Sequence, residues 1–197
     1  MKQPPVDQAG SRRDGATLVV IDMQRAFRDD GQWQVPRYQE IVPVITRLQQ
    51  SLGSGPVFTR FIRDEAETGA WAAYYRRWGE MRFPSGSEAW DITMDVPGGA
   101  TVIDASTFSK WGPELAAAVP EGAEMVLTGV ATDCCVLSTA LGALDAGRFV
   151  TVVSDACAAV SDEAQQQTLA LLQLLSPMCE VVTSRELLAR TTPAERT

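Results

Sequence analysis

The sequence predicts an α/β protein: a three-layer, mainly parallel, doubly wound six-stranded sheet with helices on both faces. Three observations point there. Six short apolar or β-branched runs alternate with segments of helical period, the signature of successive strand–helix units. Residues 18–21 (Leu-Val-Val-Ile) and 125–127 (Met-Val-Leu) are apolar without alternation, as strands buried on both faces are. Strands separated by helices run parallel, because each helix carries the chain back to the end of the sheet where the previous strand began.

The elements follow in order. Residues 1–15 form a polar arm with Pro4, Pro5, Arg12, Arg13 and Asp14, and lack the apolar centre of a signal peptide. A strand over 17–21 leads to a helix over 36–52, with Pro36 near its start. After a strand over 56–62 the regular pattern weakens between 63 and 97. A strand over 101–104 precedes a helix over 113–119, opened by Pro113. The strand at 125–128 meets a helix over 134–146 whose buried face is Val136, Ala140, Ala143 and Leu144, with Gly147 just past its end. A strand at 149–154, a helix at 162–175 with Ser161 as N-cap, a strand at 180–183 and a helix at 184–189 complete the series. One domain over 16–190 is expected, with a frayed tail over 191–197.

Composition agrees with one compact domain: 197 residues, 45% hydrophobic, suffice for a core without disulfides. The formal charge of -8 argues against nucleic acid as a partner, and no apolar run of membrane-spanning length occurs. Four cysteines, two of them adjacent, do not form a secreted disulfide framework, so a cytoplasmic setting is expected. The chain has no histidine, which removes Ser-His-Asp and Cys-His catalysis together with imidazole metal ligands. Asp64, Glu65 and Glu67 read as a solvated acidic loop rather than a cation site. No metal and no cofactor is expected, and there is no phosphate-binding glycine motif.

The chemistry concentrates where strands end. Cys135 follows an apolar run and a small-residue turn, at a strand-to-helix corner where backbone N–H groups converge. Such a corner lowers a thiol's pKa and favours the nucleophilic thiolate. Taken alone, a cysteine there is more often a small buried hydrophobe. Asp22 closes the first strand, and ligands of open parallel sheets bind beyond such strand ends. A carboxylate beside a thiol follows.

Val-Ile-Asp-Met-Gln-x-x-Phe at 20–27, Thr-Gly-Val-Ala-Thr-Asp-x-Cys-Val at 128–136 and Val-Ser-Asp-Ala-Cys-Ala at 153–158 resemble the isochorismatase-like cysteine hydrolases. That superfamily includes nicotinamidases, N-carbamoylsarcosine amidases and ureido-acid hydrolases. The resemblance implies Cys135 as nucleophile, leaving Cys134 without a role, and Asp22 as acid/base. It also implies a cis peptide between Val130 and Ala131, and an oxyanion hole from the N–H groups of Ala131 and Cys135. The family's third catalytic member, a lysine, aligns with Ala105. Only Lys2 and Lys110 exist, so Lys110 is the candidate replacement, either reaching the site or lying on the surface. Arg60 and Arg63 are the fallback cations.

The segment 63–97 is rich in aromatics, and Trp71, Tyr74, Tyr75 and Trp78 recur at helical spacing. It reads as an amphipathic helix packed on the domain, or as a substrate lid or subunit contact. The candidate pocket is Phe27, Trp33, Arg60, Trp71, Tyr74, Tyr75 and Phe108. The expected function is hydrolysis of a C–N bond in a small amide, carbamoyl or ureido substrate through a Cys135 acyl-enzyme. Isochorismate-type vinyl ether hydrolysis and a catalytically silent scaffold are the alternatives. A homodimer or homotetramer is expected.

Overall fold

A computed structural model describes residues 15–53 and 55–191, so the expected arm and tail lie outside the described residues, apart from Gly15 and Thr191. Six strands form one sheet: β1 (Ala16–Ile21), β2 (Val57–Phe61), β3 (Thr101–Ala105), β4 (Glu124–Val130), β5 (Val150–Ala158) and β6 (Cys179–Val182). Their order is β3-β2-β1-β4-β5-β6, and every pairing between them is parallel. From β1 the chain winds outward through β2 and β3, then crosses back to β4 and winds the other way. The switch point therefore lies between the carboxyl ends of β1 and β4, where Ile21 pairs with Gly129.

Alternating side chains of the central strands feed two cores. Leu18, Val20, Val126 and Val153 meet Ile41, Ile45 and Leu48 of α2 (Tyr38–Leu52) and Leu187 of α7 (Ser184–Thr191). Val19, Ile21, Met125 and Leu127 meet Leu115 of α4 (Pro113–Ala118), Ala140 and Ala143 of α5 (Leu137–Asp145), and Leu172 of α6 (Asp162–Gln173). Residues buried on both sides of β1 and β4 explain why those strands show no polar alternation.

The expected elements occur with shifted ends. Ser161 caps α6, its hydroxyl accepting from the Ala164 N–H at 3.1 Å. Strand β5 continues to Ala158 because its pairing with β4 slips between Leu127 and Gly129. The aromatic spacing of 71–78 forms the expected short helix, α3 (Gly69–Arg77), and one further turn, α1 (Arg25–Arg28), was not expected. No helix among the described residues is long and apolar enough to cross a membrane.

Candidate active site

Asp22 directly follows a strand, Cys135 lies in the turn after β4, and Lys110 comes from the loop between β3 and α4. Asp22 follows β1 with φ at 49°, a left-handed conformation that costs a non-glycine residue about 1–3 kcal/mol. Aspartate tolerates it better than most residues. Gly129, with φ at 103°, makes room beside it: a Cβ there would overlap the Ile21 backbone. The Val130–Ala131 peptide that follows is cis. The chain then makes one wide turn over Thr132–Val136, in which the Val136 N–H reaches the Ala131 carbonyl at 3.1 Å. Regular helix begins only at Leu137, not at residue 134, so Cys135 lies in the wide turn.

Asp22 is completely buried and held at both oxygens. Thr59 of β2 donates its hydroxyl to Oδ1 at 2.7 Å and accepts the Asp22 N–H at 3.2 Å. Oδ2 lies 2.9 Å from Lys110 Nζ, and neither side chain is exposed to solvent. Oδ2 accepts no hydrogen bond besides this ion pair among the described residues, so lone-pair capacity remains there. Lys110 Nζ also donates to the Thr107 carbonyl at 2.9 Å and faces the Phe61 ring at 4.7 Å. Its backbone N–H donates to Thr139 of α5 at 2.9 Å. Gly142, one turn further along α5, lets the loop sit close: a Cβ there would press on Ser109 and Trp111 at 3.1 Å. Ala105 occupies the end of β3 and supplies only its carbonyl, to the Ile62 N–H. The site's one ammonium thus arrives from a loop, five residues past the position that the resemblance aligns with lysine.

Cys135 is 3% exposed. Its thiol is pushed well above the ordinary range, first by the hydrogen bond with Cys134, then by burial and by the Asp22 charge. The Lys110 ammonium pulls the other way but does not prevail. This corrects the expected low pKa. The helix corner is there, but the Cys134 hydrogen bond, desolvation and the Asp22 carboxylate together outweigh it. Asp22 and Lys110 both act on that sulfur through space.

A cavity of about 470 Å³ opens beside the thiol, with Ala131 and Cys135 in its floor. Of the expected pocket residues, Phe27, Trp33, Tyr74 and Phe108 line it; Arg60, Trp71 and Tyr75 do not. Arg60 makes a bidentate pair with Asp104, its register partner on β3, at 2.7 Å to each oxygen. Trp71 stands behind Phe108, ring centres 4.7 Å apart. Tyr75 is buried beneath Arg63, whose guanidinium lies 5.4 Å from its ring. Arg63 itself is bound to Glu67 at 2.6 Å, and Arg82 to the other oxygen of Glu67. Glu67 is therefore a buried link and not part of a solvated acidic loop.

Several lining residues escape sequence reasoning: Gln32, Gln34, Phe61, Arg77, Trp78 and Asp133. Trp78 caps α3, and its helical spacing was a visible signal; Arg77 beside it stood out only as one of three arginines, with Arg76 and Arg82, interspersed among the aromatics. Thr59 and Gln24 are missed as well. Gln24 is fully buried, donating to the carbonyls of Phe61 and Trp90 and accepting the Phe61 N–H at 2.8 Å. It ties β1 to β2 just behind Asp22.

Residues 16–186 match the isochorismatase domain. Among solved structures, a cysteine hydrolase from Pseudomonas syringae pv. phaseolicola superposes with a TM-score of 0.80 at 21% identity, over 96% of this chain and 98% of that one. An isochorismatase-like hydrolase from Alkaliphilus metalliredigens gives 0.77 at 20% identity, over 90% and 100%. A pyrazinamidase of Pyrococcus horikoshii in complex with zinc gives 0.68 at 25% identity, over 85% and 98%. No curated protein matches the chain. A zinc ion has no fitting donor set here: the chain has no histidine, and no group of three potential ligands occurs among the described residues.

Proposed function

This chain belongs to the isochorismatase family of hydrolases, and from that premise we propose that it cleaves a C–N bond of an amide, carbamoyl or ureido substrate through a Cys135 thioester. One observation carries the reading: Asp22 and Lys110 form a fully buried ion pair at 2.9 Å beside a buried thiol. Removing two charges from water is expensive, and well-packed apolar residues often replace such a pair at no loss of stability. The pair therefore argues against a catalytically silent scaffold, which would have no use for it.

In the reaction, Asp22 accepts the Cys135 proton as sulfur attacks the carbonyl carbon. A thiol whose pKa is raised gains from such a base. The carbonyl oxygen becomes an oxyanion that the N–H groups of Ala131 and Cys135 stabilise. Collapse breaks the C–N bond, and Asp22 returns the proton to the departing nitrogen, leaving a thioester. Water then attacks the thioester with Asp22 again as base, releasing the acid and restoring the thiol. Lys110 offsets the negative charge that passes between Asp22 and sulfur. No proton needs to leave Lys110.

The test is ammonia release from a panel of amides and ureides, with mass spectrometry of the quenched enzyme. Turnover with a thioester adduct on Cys135 is the expected result. Unchanged turnover by Cys135→Ala would sink the reading. The four unpaired cysteines support a reducing, cytoplasmic setting.

A further inference from the structure

The cavity is larger than a single-ring amide needs, and its walls are of one kind. At about 470 Å³ it leaves room for a second ring beyond the one that would carry the amide. Its sides are flat rings that already pack on one another. Phe27 stacks on Trp33 with centres 5.8 Å apart and planes 10° from parallel. Tyr74 bridges to Phe108 at 5.4 Å and to Trp78 at 6.3 Å. Ring walls of this sort favour a planar guest, by burial and by offset or edge-to-face contact.

Among the described residues, Arg77 is the one cation of the lining. It is exposed, at the end of α3, with its guanidinium 4.9 Å from the Trp78 ring centre. No carboxylate pairs with it among the described residues. The contrast with Arg60, Arg63 and Arg82 is plain, since each of those is bound to an acid. The lining's one acid, Asp133, is engaged by the Val160 N–H at 3.2 Å. Gln32 accepts the Glu80 N–H through its carbonyl oxygen, which leaves its amide NH₂ for a second acceptor.

We propose that the acyl part of the substrate is a flat, two-ring aromatic body carrying an anionic group that meets Arg77 at the cavity mouth. The position of the reacting carbon rests on the amidohydrolase reading above; the size, flatness and charge rest on the cavity itself. The carbonyl sits at Cys135, the rings lie against the wall that Trp33, Tyr74 and Phe108 line, and the far end reaches the guanidinium on Trp78. Arginine suits that end because its planar fork meets a carboxylate at two points.

The experiment compares nicotinamide, 2-naphthamide and 6-carboxy-2-naphthamide by ammonia release, and titrates the same three compounds calorimetrically into Cys135→Ala enzyme. Burying a second ring raises kcat/KM at least about tenfold from nicotinamide to 2-naphthamide. The distal carboxylate adds about tenfold more, and Arg77→Gln removes most of that second increment. Turnover of nicotinamide equal to that of the naphthamides overturns the inference while leaving amide hydrolysis intact. Tight binding of 6-carboxy-2-naphthamide to Cys135→Ala, with no turnover of any amide by the native enzyme, overturns the hydrolysis reading and supports the cavity assignment. Neither binding nor turnover overturns both. A carboxylate increment that survives Arg77→Gln overturns the assignment of Arg77.

Discussion

The switch point between β1 and β4 and the aromatic segment after β2 are built on opposite plans. At the switch point every part is buried and tied: Asp22 between Thr59 and Lys110, Gln24 across to Phe61 and Trp90, Gly129 against Ile21. The aromatic segment consists of α3 and short turns, half exposed, and is held mainly by ring packing and the Arg63–Glu67–Arg82 link. The comparison teaches a division of labour. Asp22 is placed by the sheet, where backbone pairing sets position, and Lys110 by a loop that its backbone N–H pins to Thr139 of α5. The cavity walls are shared among elements: Phe27 on α1, Phe61 on β2, Phe108 after β3, and Tyr74, Arg77 and Trp78 at α3.

If that division holds, damage at the switch point abolishes turnover and damage in the aromatic segment alters preference. The largest effect is expected from Cys135→Ala, a loss of at least about 10³-fold in kcat with an unchanged circular dichroism spectrum. Cys134→Ala retains substantial activity, since its sulfur only adjoins the nucleophile. The reverse outcome would shift the nucleophile by one residue.

Next come the two members of the buried pair. Asp22→Asn lowers turnover by about 10²- to 10⁴-fold. Because either single change leaves a buried charge without its partner, Asp22→Asn and Lys110→Met each lose about 3–5 kcal/mol of stability. The double variant loses less than the two singles together, which denaturant titration of all four proteins measures. Additive losses would mean that the 2.9 Å contact has no energetic content.

The pH response is smaller and has a definite sign. Cys135 is pushed above the ordinary thiol range, so its alkylation by iodoacetamide keeps rising beyond about pH 8.5 instead of levelling there. Burial likewise raises Cys157, and raises Cys179 to about 11. Above about pH 8.5 the unfolded chain ionises thiols that the folded protein keeps protonated. Stability contributed by these groups is therefore complete below that pH and is lost as pH climbs toward the folded values. Melting temperatures between pH 7 and 10 should fall; a rise would contradict the assignment.

The smallest effect belongs to the aromatic segment. Glu67→Gln weakens the link between Arg63 and Arg82, loosening the cavity wall rather than the chemistry. KM should rise several-fold with kcat changed less. A collapse of kcat with KM unchanged would show that the two regions are not separable.

Much of the fold is legible in sequence because its signals are local. Residues 18–21 and 125–127 announce doubly buried strands, and Val136, Ala140, Ala143 and Leu144 mark one helix face whatever surrounds it. The wide turn before α5 and the extension of β5 were not legible. The first depends on a backbone bond from Val136 to Ala131, the second on a slip in pairing between two strands.

For the site, strand ends and a small-residue corner, written in consecutive residues, pointed to Asp22 and Cys135, and the family resemblance chose Cys135 over Cys134. Lys110 stood undecided between site and surface, because nothing local distinguishes a buried ammonium from a solvated one. Only a partner such as Asp22, brought across 88 residues of chain, makes burial tolerable. The choice of Arg77 over Arg60 was equally out of reach: Arg60 turns to Asp104 because β2 and β3 pair in one register. The same holds for Trp78 in the front row and Tyr75 behind it, for a helical period says which residues share a face but not what that face meets. Spacing along the chain determined the elements and the two residues at their ends; pairing between distant strands decided the charges and the walls around them.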